Sequence, residues 1–175
     1  MTETFASARL AMRPMRAGDA DALHVAYSDE DLMRWWSSAH HISLDETRAY
    51  VAERAAKTDW RGWVVTQAGD DTAIGTLATY ARRPGVAEIG YLLARPYWGK
   101  GYAREAVSRL IDLLIREEGH RRVFADTDPD NTGSNRLLES LGFRLEGVLR
   151  AEWETHIGVR DTNLWGLLAG EWISK

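Results

Sequence analysis

The chain reads as a mixed α/β (α+β) fold, with a mostly antiparallel central sheet and flanking helices. Three observations predict it. Segments of period 2 and period 3.6 follow one another in the order β α α α β β β α β α β β. Turn signals join the middle strands as hairpins, which makes them antiparallel neighbours. A strand–helix–strand unit between Val86 and Thr127 then sets two strands side by side in parallel.

Arg9 to Met15 alternates apolar and polar residues as a first strand and ends at Ala17-Gly18-Asp19. Asp19 is placed to cap a helix running to about Ser28. Asp29 or Asp31 caps a second, short helix ending near Trp36. Ser43-Leu44-Asp45-Glu46 is a capping box that opens a helix to about Lys57. Trp60 to Gln67 and Thr72 to Arg82 are β-rich runs joined by Gly69-Asp70-Asp71. Arg83-Pro84-Gly85 turns the chain into a strand from Val86 to Ala94. After Gly101, Ala103, Ala106, Val107, Leu110, Ile111 and Leu114 form one helical stripe, and Gly119 ends that helix. Arg122 to Thr127 is a strand, and a helix starts at Asn131. Gly142 stands where a helix end turns left-handed. Strands at about 143–157 and 159–172 close the chain.

With 175 residues and no repeat or linker-like tract, a single domain spanning 1–175 is expected. No apolar stretch approaches the ~18 residues of a membrane span. Met1-Thr2-Glu3-Thr4 is polar, with no signal-peptide core behind it, so a cytoplasmic protein without a membrane partner is expected. A net charge of −4 argues against a nucleic-acid partner, which would need a basic face. The chain has no cysteine, which excludes disulfides, thiolate metal ligands and a Cys-bound acyl intermediate. The histidines lack metal-ligand spacing, so no metal is expected. Monomer and homodimer are both compatible with this composition.

The chemistry concentrates in Leu92-Leu93-Ala94-Arg95-Pro96-Tyr97-Trp98-Gly99-Lys100-Gly101-Tyr102-Ala103-Arg104-Glu105-Ala106. A strand here meets a glycine turn and then a helix N-terminus, whose free N–H groups suit an anion such as a phosphate. The P-loop spacing is absent, and a dinucleotide fingerprint would put Arg104 where a small residue is needed. A glycine turn serving packing alone is the plain alternative. The turn resembles the pyrophosphate-binding turn of the GNAT acyl-CoA N-acetyltransferases, (Gln/Arg)-x-x-Gly-x-(Gly/Ala). Gly101 and Ala103 match the last two fixed positions, and Trp98 departs from the first. The run Tyr97-Trp98-Gly99-Lys100-Gly101-Tyr102-Ala103 is similar to the variant of the RimJ/RimL-like branch, which acetylates protein N-termini. A second stretch, Asn131-x-x-Ser134 leading to Leu141-Gly142-Phe143 and Glu146-Gly147, resembles the other signature of that branch. The resemblance covers roughly residues 8–170 and is strongest over 86–147.

The resemblance implies the acyl-CoA N-acyltransferase fold, in which the parallel strands splay and the pantetheine arm of acetyl-CoA lies between them. It implies acetyl-CoA as cosubstrate. The backbone of Leu92, Leu93 and Ala94 would line the arm, with Asn131 at its amides. The turn formed by Trp98, Gly99, Lys100, Gly101, Tyr102, Ala103 and Arg104 would hold the pyrophosphate. Ser134 would protonate the departing thiolate, against the alternative that it only caps its helix. Glu88, a charged residue in a central strand, is the candidate general base. It shares a face with Gly90 and Leu92, and its alternative role is a structural hydrogen bond. Glu152 and Glu154 are further carboxylate candidates, Glu152 also as an acceptor contact. Trp35 and Trp36 would form one wall of the acceptor cleft, although core packing is the commoner fate of tryptophan. Arg95 could meet the CoA 3′-phosphate or simply be solvated.

Neutralising the acceptor sets the energetic scale. A Lys amine of pKa about 10.4 costs roughly 4.6 kcal/mol at pH 7, and an α-amine near 7.8 costs about 1 kcal/mol. An N-acetyltransferase working by direct attack in a ternary complex, on the N-terminal α-amine of a ribosomal or other protein, follows as the expectation. The alternatives are acetylation of a small amine or antibiotic, and a CoA-binding module without turnover.

Overall fold

The computed structural model describes residues 3–57 and 60–174. Among the described residues eight strands form one sheet: β1 (Phe5–Ala6), β2 (Leu10–Pro14), β3 (Arg61–Gln67), β4 (Ala73–Arg83), β5 (Val86–Leu93), β6 (Arg122–Thr127), β7 (Arg144–Thr155) and β8 (Gly158–Leu168). Their order is β1-β2-β3-β4-β5-β6-β8-β7. Every neighbouring pair is antiparallel except β5 and β6. The helices are α1 (Ala20–Tyr27), α2 (Glu30–Met33), α3 (Leu44–Ala56), α4 (Tyr102–Asp112) and α5 (Thr132–Ser140). No helix among the described residues is long and apolar enough to cross a membrane.

Strand alternation builds two cores on opposite faces of the sheet. Ala87, Ile89 and Leu93 of β5 point to one face and pack with Val107, Leu110 and Ile111 of α4. Leu92 and Ala94 point to the other, with Leu23 and Ala26 of α1, Leu32 of α2 and Val51 of α3. The apolar stripe read from the sequence of α4 is therefore its core face. That helix continues as a π-helical turn over Leu113–Glu117 before Gly119 turns at φ 72°. Ser43 accepts the Glu46 N–H at 3.2 Å, and Glu46 returns a bond to the N–H of Ile42 at 2.9 Å, which fixes the start of α3.

The parallel ladder is short. β5 and β6 pair at Val86↔Arg122, Ala87↔Val123 and Glu88↔Phe124. Beyond Glu88, β5 stays paired with β4 as far as Leu93↔Gly75, and β6 stays paired with β8 as far as Thr127↔Asn163. The strands thus part in the middle of the sheet and leave two facing lips of backbone.

Several expectations change in the structure. The two-residue strand β1 precedes the first expected one and was too short to carry a period. Asp19 does not cap α1 through its side chain: its carboxylate takes the Arg13 fork at 2.9 and 2.7 Å and the Arg16 N–H at 2.7 Å. A bidentate partner for a buried arginine outweighs one capping bond. The last strand stops at Leu168, short of the expected 172, because Ala169–Glu171 turns and sends the Trp172 indole N–H to Asp112 at 2.8 Å.

Candidate active site

The splay opens into a cleft of about 690 Å³ that passes through the sheet, within the usual range for small-molecule sites. Its walls come from β5, β6, the turn before α4, the first turn of α5, and the α2–α3 side of the molecule. On the face of α4 and α5 it meets Tyr91, Ala103, Ser134 and Leu137. On the opposite face it meets Glu88, Gly90, Tyr80 and the aromatic residues near α2 and α3.

The turn before α4 is built for an anion. Gly99 and Gly101 both have positive φ, 74° and 79°. A Cβ on Gly99 would enter open space. Gly101 is the N-cap of α4 and offers no side-chain acceptor, so the N–H groups of the first helical turn stay free to face a ligand. Arg9, which sequence reasoning passed over, braces this turn. Its guanidinium pairs with Glu105 at 2.6 Å, donates to the Lys100 carbonyl at 3.1 Å and lies 4.7 Å over the Tyr102 ring. Arg104 lines the cleft and forms no ion pair among the described residues.

Asn131 caps α5 by accepting the Ser134 N–H at 3.2 Å. The helix is tied to β6 and β8 through Asn135, whose Oδ1 accepts the Trp165 indole N–H at 3.0 Å and the Asn163 amide at 3.3 Å. Ser134 is thereby held at the cleft. Tyr91 stands beside it with a buried hydroxyl that has no hydrogen bond of good geometry among the described residues. Burial pushes the Tyr91 hydroxyl up to about 12, with the nearby Ser134 pulling the other way. An orphaned hydroxyl at a cleft wall is where a ligand group or water completes the bonding.

On the opposite face, Glu88 is held by the Nε of Arg82. Asp126, two residues beyond Phe124, the last β6 residue paired with β5, is a second carboxylate on this wall. It accepts the Trp153 indole N–H at 2.9 Å and sits 3.5 Å from the Thr162 hydroxyl. Asp128 and Asp130 share Arg160, at 2.7 and 2.6 Å. Of the eight tryptophans, Trp35, Trp36, Trp60, Trp98 and Trp153 line the cleft, and Trp63, Trp165 and Trp172 belong to the core. The composition held this signal, but only the fold sorts one set from the other.

The cleft wall brings together Ser134, Glu88, Leu92, Leu93, Trp98, Gly99, Gly101, Tyr102, Ala103, Arg104, Asn131, Trp35 and Trp36. Three expected members stand outside it. Ala94 is buried in the second core, and its N–H is already spent on the Ile74 carbonyl at 2.9 Å. Lys100 points out to solvent with its Nζ 5.4 Å from the Tyr97 ring centre. Glu152 is exposed, because a register shift between Leu149 and Trp153, with Ala151 at φ 53°, turns Trp153 and Thr155 to the cleft instead. Trp98 departs from the motif for a visible reason: its indole N–H donates to the Leu93 carbonyl at 2.7 Å and seals the end of β5. Arg95 is ion-paired with Asp29 and Asp31, which accounts for its charge. No group of three or more potential metal ligands occurs among the described residues.

Comparison with known proteins agrees with this geometry. The acetyltransferase (GNAT) domain family matches residues 9–144. The uncharacterized N-acetyltransferase p20 of Bacillus licheniformis is 31% identical over 175 residues, covering 97% of this chain and 98% of its own. A GNAT-family acetyltransferase of Bacillus anthracis superposes with a TM-score of 0.86 at 25% identity, over 96% of this chain and 99% of its own. A ribosomal-protein-S5-alanine acetyltransferase of Vibrio fischeri shares the fold, with a TM-score of 0.76 at 23% identity over 97% and 98% of the two chains.

Proposed function

Because the chain belongs to the GNAT acetyltransferase family, we propose that this N-acetyltransferase acts on the N-terminal α-amine of a protein, a ribosomal protein foremost, by direct attack in a ternary complex. The observation that carries the reading is the break in the β5–β6 ladder after Glu88↔Phe124. It joins two faces with different chemistry. One has the glycine turn, the free N–H groups of α4 and Ser134. The other has Glu88, Asp126 and an aromatic wall.

The residues present fit acetyl-CoA. Two positive-φ glycines before an uncapped helix suit a pyrophosphate, and the unpaired lips of β5 and β6 suit an extended amide-bearing arm. When bound, acetyl-CoA supplies the activated thioester. Arg104 and the first turn of α4 would hold its phosphates. Asn131 and the β5 backbone would hold its arm. As the amine nitrogen bonds to the acetyl carbon and the carbon–sulfur bond breaks, Glu88 takes the proton lost by the amine, directly or through water. Ser134 gives its hydroxyl proton to the departing sulfur and regains one from solvent.

An α-amine suits this wall better than a lysine side chain. Glu88 is engaged by Arg82, and Asp126 by Trp153 and Thr162. An acceptor already close to neutrality asks least of them, by a margin of about 3–4 kcal/mol at pH 7. A polycation is disfavoured, since Arg34 and Arg54 line the same side and carry no ion pair among the described residues.

Paired peptides test the reading, one with a free N-terminus and one blocked there with an internal Lys. The first should react faster at pH 7. The ratio should narrow toward pH 9, as the Lys amine gains neutral population and the α-amine saturates near 8. Preference for the blocked peptide at pH 7 contradicts the proposal.

A further inference from the structure

On the α3 side of the cleft, Arg34 and Arg54 both lack an ion pair among the described residues, and of the two Arg54 is the one withdrawn from solvent. Arg82 and Arg160 reach the wall already paired, with Glu88 and with Asp128 and Asp130. Arg54 of α3 has no carboxylate partner among the described residues. Its guanidinium lies 4.8 Å from the ring centres of both Tyr50 and Trp60, and its one hydrogen bond among the described residues is long, 3.4 Å to the Tyr80 hydroxyl. The side chain is half-buried at the cleft wall.

A second unsatisfied donor sits in the same cluster. The Trp60 indole N–H is buried and has no acceptor among the described residues. The Trp60 ring stacks on Tyr80, 5.7 Å between centres and 17° between planes. It can lie there because Gly62 has no side chain: a Cβ on Gly62 would come within 2.6 Å of the Trp60 ring. Tyr80 is in turn the register partner of Glu88. The cluster is therefore contiguous with the wall where the acceptor amine is placed.

A guanidinium held between two aromatic rings keeps its planar fork free, and that fork matches a carboxylate with two parallel hydrogen bonds. Withdrawal from water strengthens such a bond, and buried donors in folded proteins are ordinarily paired. We propose that Arg54, framed by Tyr50, Trp60 and Tyr80, is the acceptor-side subsite for a carboxylate carried by the substrate beside its reacting amine. The proposal rests on the acetyl-transfer reading and narrows its acceptor to an amine that is also an acid. Two sources share that chemistry: an acidic side chain next to a protein N-terminus, and the α-carboxylate of a free amino acid.

The test uses two pairs of acceptors on the intact protein. One pair is peptides beginning Ala-Glu and Ala-Gln, amidated at the C-terminus. The other is alanine and alaninamide. The acidic member of at least one pair should show a KM lower by about tenfold. The pair that responds identifies the source of the carboxylate. Arg54→Met should erase the difference, and Arg54→Lys should restore part of it. Trp60→Phe, which keeps an aromatic face but removes the N–H, should reduce it.

Binding is read separately by titrating the CoA-loaded protein with the acetylated Ala-Glu and Ala-Gln peptides and with the acetylated forms of alanine and alaninamide, following tryptophan fluorescence. Tighter binding of an acidic product that Arg54→Met abolishes supports the subsite even if no acceptor turns over; such a result would count against acetyl transfer alone. Equal KM and equal affinity within both pairs, or discrimination that survives Arg54→Met, overturns the proposal.

Discussion

Phe124 faces Glu88 across the last pair of the β5–β6 ladder, and past that pair the two strands diverge. Two internal strand edges are thus left open inside a sheet, each paired on its outer side only. An open edge is a template for another extended chain, which is how a thin polar arm can be threaded through a protein core.

The crossing point is tested at Gly90, two residues past Glu88 on the same face. A Cβ there would meet no atom within 4 Å, so Gly90→Val enters the cleft without disturbing the fold. Its Tm should equal or exceed that of the parent, because valine favours a strand. Acetyl transfer should fall by about 10²-fold or more. Calorimetry and a CoA-release assay measure the two effects separately.

The phosphate turn is tested by a matched pair of substitutions. Gly101 and Gly69 both have positive φ, 79° and 84°, so alanine at either costs folding roughly 1–2 kcal/mol. Gly69 lies in the β3–β4 connection and a Cβ there meets nothing, whereas a Cβ on Gly101 would press on the Arg9 guanidinium at 3.4 Å. Both variants should melt lower, but only Gly101→Ala should lose the rise in Tm that acetyl-CoA confers on the folded state.

Ser134 and Tyr91 are separated by kinetics. Ser134→Ala should lower kcat by about 10²-fold with acetyl-CoA affinity nearly intact, as expected for a proton donor. Tyr91→Phe removes an orphaned buried hydroxyl. It should leave stability unchanged or raise it, and it should lower kcat only if that hydroxyl bonds to Ser134 or the leaving group during transfer. A loss of acetyl-CoA binding in Ser134→Ala, with unchanged kcat, would make Ser134 a binding contact.

The Asp128–Arg160 pair predicts part of the acid sensitivity. Burial pulls the Asp128 carboxyl up, but the Arg160 fork, the Asp130 N–H and the charges of Arg160 and Arg34 outweigh it and hold it below the usual range. A depressed carboxylate contributes stability that is complete above its unfolded value, about 4, and is lost as pH falls toward the folded one. Asp128→Asn should therefore cost about 1–3 kcal/mol at pH 7. The gap from the parent should shrink below about pH 4, as thermal melts across that range will show.

What the sequence revealed follows from what is local. The glycine turn, the α4 stripe, the α3 cap and the Asn131 helix start are each decided within a few residues, and each is found where the sequence places it. The pairing of Asp19 with Arg13, the bracing of the phosphate turn by Arg9 across the chain to Glu105, and the orphaned Tyr91 hydroxyl depend on long-range packing that no local pattern encodes. Glu152 shows the limit of alternation. A single bulge around Ala151 changes which side chains of β7 face the cleft, and period 2 has no means of reporting it.

One peptide bearing both a free N-terminus and an internal lysine, incubated with acetyl-CoA and the protein at pH 7 and sequenced by mass spectrometry, shows which amine the protein acetylates. Acetyl is expected on the α-amine, matched by released CoA, and none on the lysine. Acetyl on the lysine alone, or acetyl-CoA bound with no acetyl transferred to any amine, would contradict acetyl transfer to a protein N-terminus.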